Sequence, residues 1–366
     1  MKVALEEQIP DMTKNVDSTI QETRDSTTRN QLPVVTVPSK FMKHVSLVSL
    51  TLQNVISILL LRYVRTTSGP RFFNSTAVLN SEIQKTILSV ILVIAEERNI
   101  INAFKLIYHK IVKQPYDTLK TGIPSLLYTL QNNLLFVAIS NLDAATFQVS
   151  YQLKIFTTAI FMVFMLRRQL GVIQWISLFL LFLGISLVQI ENMTSTTPKQ
   201  DVNALVGLLA VISACTLSGL AGVYFEKILK GSETSVWIRN IQLGVFGMFF
   251  SYLTMYISDG QDVKKHGILY GYTHMVWLAI TVQSAGGLIV ALVVKYADNI
   301  LKGFATSSAI ILSCIISMIL FDFQLTILFA LGSLLVIFSI FLYSKPDLIT
   351  QIPILNVILK DKLTVY

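Results

Sequence analysis

Charge is scarce in this chain. Of its 366 residues only 14% are charged, while 53% are hydrophobic; a soluble domain carries about 25% charged residues. A mean hydropathy of +0.63 agrees, and the composition indicates a polytopic membrane protein. Cysteine is nearly missing. Cys215 and Cys314 lie in apolar segments without Cys or His neighbours at ligand spacing, which argues against a disulfide framework or a zinc site. No metal and no cofactor is called for. There is no P-loop, no paired-carboxylate site, no HExxH and no nucleophile elbow, so the chain does not read as an enzyme. Acidic residues are nearly absent from the apolar runs, which argues against proton or sodium coupling through intramembrane carboxylates. Residues 1–40 do not read as a cleavable signal peptide. They are polar and Thr/Asn-rich, with Pro10, Pro33 and Pro38, as expected of a disordered cytosolic tail.

Long apolar runs fill the rest. They occur at about 45–64, 80–97, 119–139, 143–166, 172–190, 204–225, 237–257, 273–295, 300–321 and 325–343, which predicts an all-α membrane protein of ten transmembrane helices. The domain layout is a cytosolic tail at 1–41, the helical domain at 42–345 and a cytosolic C-terminal tail at 346–366. The second run has the weakest start, with Glu82 and Lys85 in its first turns. Between the second and third runs, Ile100, Phe104, Ile107, Tyr108 and Ile111 repeat at helical spacing opposite Asn102, Lys105, His109 and Lys110. That pattern predicts an interfacial helix on the cytosolic surface of the bilayer.

The net charge of +8 is spread over short loops rather than gathered in one patch, so nucleic acid is not an expected partner. The tail and alternate loops carry Lys40, Lys43, Arg98, Lys105, Lys110, Lys113, Arg167, Arg168, Lys227, Lys230 and Lys295. The opposite loops hold little beyond Arg65, Arg71, Lys199, Lys264 and Lys265. By the positive-inside rule both termini are cytosolic. The sequons at Asn74 and Asn192 then fall on the lumenal side, where glycosylation is chemically open to them. An internal repeat is also legible. Residues 131–184 and 283–332 each hold a polar-start helix, an Asp-bearing turn (Asp143, Asp298), a Lys-bearing helix and a glycine-containing apolar helix. Five helices per half implies two inverted repeats, a recurring transporter design with the site at the repeat interface.

Lys154 carries the functional reading. It stands in the apolar stretch 144–166 with no acid three or four residues away. A charge at the bilayer centre costs about 2.5–3.5 kcal/mol on insertion scales. Snorkelling is the alternative. Yet eleven residues from Asp143 place the lysine roughly 16 Å deep, about half the hydrocarbon thickness. The natural partner is an anion from outside the chain, such as a phosphate. Phe147 and Tyr151 lie on the same face as Lys154, so an aromatic wall ends at a cation, which suits a stacked base next to a phosphate. Tyr128, Gln131 and Asn132 share a face of the third helix; a base edge, a ribose or another helix would satisfy them. Lys302 reads equally as a second phosphate ligand or as a cytosolic anchor. Arg239 reads as an interface anchor, with Asn240 and Gln242 as cavity groups. Cationic ligands without a coupling-ion site describe most simply an exchanger of anions. A drug or amine exporter would need an intramembrane carboxylate, and a membrane scaffold would need no deep lysines.

The runs YTLQNNLLFVAISNLDAATFQVSYQLK (128–154), GLAGVYFEKILKGSETSVWIRNIQLG (219–244) and KYADNILKGFATS (295–307) resemble the Golgi nucleotide-sugar transporters, specifically the carriers of UDP-galactose, UDP-N-acetylglucosamine and CMP-sialic acid. The resemblance covers about residues 45–345. It implies the drug/metabolite-transporter fold, residence in the Golgi membrane, and exchange of a nucleotide sugar for the matching nucleoside monophosphate. It puts Tyr128, Gln131 and Asn132 in the nucleotide pocket, Lys154 and Lys302 on the phosphates, and Ser218 and Asn240 on the nucleotide or sugar side. CMP-sialic acid carriers typically have tyrosine at the positions of Gly244 and Phe147, so both departures favour a UDP-sugar. Arg71–Phe73, Lys230–Ser232, Gly271–Thr273 and Asp347–Thr350 look more like the UDP-galactose carriers. UDP-galactose with UMP as counter-substrate is therefore expected first. UDP-N-acetylglucosamine, CMP-sialic acid and another organic anion on the same fold remain the alternatives. The other expected partners are the lipid bilayer and either a second copy of the chain or a Golgi glycosyltransferase.

Overall fold

Hydrophobic length sets most of the architecture. The computed structural model describes residues 39–66, 70–142, 144–191, 203–321 and 327–344, and all regular structure among them is helical. The terminal tails, Asp143, Lys199 and the Asn192 sequon lie outside the described residues. The chain divides into two units, Met1–Met42 and Lys43–Tyr366. Of the first, only Ser39–Met42, the opening turn of a helix, is described. In chain order the helices are α1 (Ser39–Thr66), α2 (Asn74–Glu97), α3 (Ile100–Ile111), α4 (Pro115–Asn141), α5 (Ala144–Tyr151), α6 (Lys154–Leu166), α7 (Val172–Glu191), α8 (Ala204–Lys230), α9 (Val236–His266), α10 (His274–Tyr296), α11 (Asn299–Phe321) and α12 (Ile327–Ser344).

Eight stretches among the described residues are long and apolar enough to cross a membrane. α7 has a shorter apolar stretch, Val172–Val188. α4 is long enough at 27 residues, but Tyr128, Gln131, Asn132 and Asn133 dilute its hydropathy. The exposed surface is rich in large apolar side chains, among them Ile56, Ile91, Phe164, Phe249 and Phe338, as a lipid-facing surface requires. α2 starts six residues before its predicted beginning, because Glu82 and Lys85 neutralise one another. The Lys85 Nζ donates to Glu82 Oε1 at 2.6 Å, so the helix carries no net charge at that depth.

α3 forms where its periodicity predicts. The Asn99 side chain caps it by accepting from the amides of Ile101 and Asn102, as an N-cap does. Its apolar residues serve two sides. Ala103, Leu106, Ile107 and Ile111 pack on Val93, Ile238 and Ile241. Ile100, Ile101, Phe104 and Tyr108 stay exposed.

The predicted helix 143–166 is not continuous. Around Gln152 and Leu153 the backbone switches to bonds three residues apart: Gln152 N to Val149 O at 3.1 Å, Leu153 N to Ser150 O at 3.1 Å, and Ile155 N to Gln152 O at 3.0 Å. No Pro or Gly stands in 144–166, so the cause is tertiary. Cys215 of α8 places its Sγ 3.4 Å from the Tyr151 carbonyl and 3.7 Å from that of Ser150. Thr157 donates to the Cys215 carbonyl at 2.7 Å. The neighbouring helix thus takes up the polar groups that the break releases. α8 packs extensively on α4 and on α6, α2 on α9, and α7 on α12. Gly184 and Gly332 make the α7–α12 crossing, where a Cβ on Gly332 would meet the Gly184 carbonyl at 2.7 Å; only glycine admits that approach.

The end of the bundle where α4, α9 and α11 begin is cross-linked by ion pairs. Arg239, predicted as an interface anchor, is instead 2% exposed. Its Nη1 and Nη2 grip Asp117 Oδ2 and Oδ1 at 2.7 and 3.1 Å. Gln242, predicted as a cavity group, accepts from Arg239 at 2.9 Å and donates to the Lys110 carbonyl and the Thr118 hydroxyl, each at 3.2 Å. One clamp therefore ties α9 to α4 and to the end of α3. Removing one member of a buried pair typically costs about 3–5 kcal/mol, less here because Asp117 is partly exposed. Arg239→Ala is expected to destabilise the purified protein by about 3 kcal/mol, read as a lowered thermal unfolding midpoint. Arg239→Lys cannot reproduce the two-pronged contact and is expected to recover less than half. An unchanged midpoint in Arg239→Ala would rule the clamp out as a stabilising element.

Candidate functional site

The break between α5 and α6 makes Lys154 the first residue of a helix. Its ammonium sits 3.9 Å from the centroid of the Tyr151 ring. Phe147 stacks on the other part of that wall, with ring centroids 5.9 Å apart and planes 7° from parallel. From α4, Gln131 Nε2 donates to the Tyr151 hydroxyl at 3.3 Å, while Gln131 Oε1 is buried with no partner among the described residues. Both aromatic rings pack on Ala138, Val211 and Cys215.

Beside this wall lies a cavity of about 370 Å³ lined by Tyr151, Gln152, Lys154, Ser218, Asn299 and Lys302, with Leu178, Leu181 and Ile185 of α7 as an apolar side. That volume is in the range of small-molecule sites, as is the mixture of an apolar lining with a few polar groups. Lys302 therefore faces the same cavity as Lys154. Among the described residues, neither lysine belongs to any of the four ion pairs. Glu226, bonded to the lining residue Asn299, is already occupied. It accepts from Lys230 Nζ at 2.6 Å and from the Asn299 backbone and side-chain amides at 3.0 and 2.9 Å. The cavity thus presents two ammonium groups with no carboxylate to neutralise them. It can hold a dianion carrying an aromatic group.

Polar contacts surround the start of α11. Lys230 also donates to the Ala297 carbonyl at 2.5 Å. Arg168 donates to Asp298 Oδ2 at 2.6 Å, and Asp298 Oδ1 caps α11 through the Leu301 amide at 2.8 Å. Half-burial works against the Arg168 guanidinium, but the Asp298 carboxylate beside it outweighs that and raises its pKa above the ordinary arginine value.

The remaining predicted positions are distributed as follows. Tyr128 reaches the cavity's edge: a Cβ on Gly222 would stand 3.6 Å from its hydroxyl. Asn132 is exposed on α4. Asn240 is buried and donates to the Val236 carbonyl of its own helix at 2.9 Å. Gly244 lies at the α2–α9 crossing, where a Cβ would collide with the Thr86 hydroxyl, so a larger residue there requires the Thr86 side chain to move. The structure brings Phe147, Tyr151, Lys154, Ser218 and Lys302 together with Gln131 and Tyr128, and leaves Asn132, Asn240 and Gly244 outside the lining.

Three lining or supporting residues escaped the sequence reading: Gln152, Asn299 and Glu226. The only signal for Gln152 was a polar residue two before Lys154. Asn299 opens α11 beside Asp298, which looks like ordinary capping. Glu226 fell one residue past the predicted end of its helix, yet the helix runs to Lys230 and Glu226 is 1% exposed.

Residues 38–344 match the family model "Nucleotide-sugar transporter". The chain is 51% identical over 313 residues to the UDP-galactose translocator of Mus musculus, covering 85% of this chain and 80% of that one. It is 52% identical over 307 residues to the Homo sapiens UDP-galactose translocator, covering 83% and 78%. Against the UDP-N-acetylglucosamine transporter of Homo sapiens it is 50% identical over 309 residues, covering 82% and 95%. A solved crystal structure at 11% identity superposes with a TM-score of 0.60 over 84% of this chain and 98% of that one, a likeness of fold alone.

Proposed function

The chain belongs to the nucleotide-sugar transporter family, and from that premise we propose that it exchanges UDP-galactose for UMP across the Golgi membrane. It is a multi-pass membrane transporter, and the observation that carries the finer reading is the pair Lys154 and Lys302 in one cavity without a neutralising acid. Phosphate esters carry about −1.5 to −2 charges at pH 7. UMP and a UDP-sugar each bring about that charge, so either cargo neutralises the two ammonium groups. Phe147 and Tyr151 supply the surface for uracil, with Gln131 and Tyr128 at its edge. Ser218 faces the same space. In this reading Asn132, Asn240 and Gly244 enter the site only in another conformation of the carrier.

The proposed architecture is ten spans in two inverted five-helix repeats, with α5 and α6 as one broken span and α3 on the cytosolic surface. Its support is the packing pattern. α2–α9 and α7–α12 each join helices at matching places in the two halves, and the pairs α4–α9 and α2–α10 exchange under the same operation. A site at a broken helix between repeats is what such carriers use. Cytosolic termini follow from the lysines and arginines at the end where α4, α9 and α11 begin. UDP-N-acetylglucosamine is the second cargo in this reading, because the relatives named for it match at nearly the same identity. The test is counterflow in proteoliposomes preloaded with UMP, offered a panel of labelled nucleotide sugars. UDP-galactose is expected to accumulate most, UDP-N-acetylglucosamine next, and CMP-sialic acid and GDP-sugars at background. Accumulation of CMP-sialic acid in preference to both UDP-sugars would sink the assignment.

A further inference from the structure

Asn299 has a more constrained amide than any other cavity residue. It is 4% exposed. Its Nδ2 donates to the Gly222 carbonyl at 2.7 Å and to Glu226 Oε2 at 2.9 Å. Both of those partners are acceptors, so only the NH2 end of the amide can face them. Glu226 is fixed in turn by Lys230, 2.6 Å from its other oxygen. The orientation of the amide is therefore decided by the protein before any cargo arrives. Its Oδ1 is left over. That oxygen is buried, has no donor among the described residues, and belongs to a residue that lines the cavity. The neighbour that keeps the approach open is Gly222: a Cβ there would stand 3.1 Å from Oδ1 and 3.6 Å from the Tyr128 hydroxyl. A buried acceptor without a donor is unfavourable, and a cargo that supplies one gains that interaction.

We infer that Asn299 accepts a hydrogen bond from a sugar hydroxyl of the cargo, with Glu226 as its positioning residue. The inference rests on the nucleotide-sugar reading and deepens it. Lys302 is one turn further along α11, about 4.5 Å along the axis. With Lys302 on a phosphate, the ribose and the transported sugar, each bonded to a phosphate, lie within reach of Asn299, whereas the base is at the far end of the ribose. Ionised phosphates offer no O–H, so the complement to Oδ1 is a hydroxyl. The same acceptor distinguishes a hydroxyl from a hydrogen or an ether at that position, which makes Asn299 a specificity-determining residue.

The experiment is equilibrium binding to the purified full chain, comparing wild type, Asn299→Ala and Gly222→Ala. The ligands are UMP, 2′-deoxy-UMP, 3′-deoxy-UMP and UDP-galactose. Gly222→Ala leaves the Gly222 carbonyl and Glu226 free to accept from the amide and crowds the free oxygen most closely, at 3.1 Å against 3.6 Å for the Tyr128 hydroxyl, so it reports even if Asn299→Ala does not fold. If the donor is a ribose hydroxyl, either variant weakens UMP and UDP-galactose roughly three- to tenfold, and one deoxy analogue is insensitive to the change. If the donor is on the transported sugar, UDP-galactose weakens by that factor and UMP does not. Equal losses for every ligand, or no loss for any, would overturn the inference. Wild type that binds neither UMP nor UDP-galactose would instead remove the transport reading itself, and this inference with it.

Discussion

Lys154→Ala is expected to weaken binding of UMP and of UDP-galactose together, by roughly ten- to a hundredfold, while leaving expression and membrane insertion unharmed. The factor follows from the chemistry of the contact. A charge-assisted hydrogen bond to a phosphate is worth about 1.5–3 kcal/mol, and each 1.4 kcal/mol is about tenfold. Loss of both affinities in parallel distinguishes a phosphate ligand from a residue that reads only the sugar or only the base. Lys154→Arg keeps the charge and the stacking over Tyr151, but its planar fork asks for two acceptors in one plane. Only part of the affinity is expected to return. A lysine serving as an interface anchor would behave otherwise: arginine would replace it fully, and alanine would leave UMP affinity untouched. Binding measured on folded wild type and both variants decides, and unchanged UMP affinity in Lys154→Ala removes the main support for the site.

The route to that residue was open in the sequence because an unpaired charge in an apolar run is conspicuous whatever the fold. The spans were legible for the same reason, since hydrophobic length is a one-dimensional property. The break at Gln152–Leu153 was not, because nothing local causes it. It depends on a thiol and a carbonyl of Cys215, more than sixty residues away in the chain. Lys302 remained ambiguous in the sequence because a lysine three residues from a helix start is as often an anchor as a ligand. Its place in the cavity is a fact of packing. Arg239 was misread for a similar reason: its partner Asp117 opens a different helix, 122 positions earlier. Glu226 shows how a boundary error of a few residues alters chemistry. Placed outside the helix it is a solvated loop acid; placed inside, it is a buried carboxylate that orients Asn299.

Uptake of UDP-galactose into vesicles without internal UMP is expected to be one to two orders of magnitude slower than into vesicles preloaded with it, and indifferent to a proton gradient. Both halves follow from the charges. The carboxylates in the interior of the described spans, half-buried Glu82 and buried Glu226, are each tied to a lysine on their own helix, Lys85 and Lys230, at 2.6 Å. They form internally neutral pairs and leave no unpartnered carboxylate to carry a proton across. Lys154 and Lys302 have no such partners. In the proposed exchange, a bound dianion would balance them and the loaded carrier would reorient as a neutral unit. Without cargo, two ammonium groups must pass through the occluded state uncompensated. Desolvating an unpaired ion costs several kcal/mol. A difference of about 3 kcal/mol between empty and loaded transitions suffices for about a hundredfold in rate. On the proposed reading, the electrostatics of the empty cavity make exchange obligatory. The same charges set the expected behaviour of Lys302. Removing one of the two cations halves the uncompensated charge, so Lys302→Ala is expected to lower cargo affinity while narrowing the gap between empty and preloaded vesicles. Full-rate uptake into empty vesicles of wild type, or uptake that follows an imposed pH difference, would refute this account of exchange.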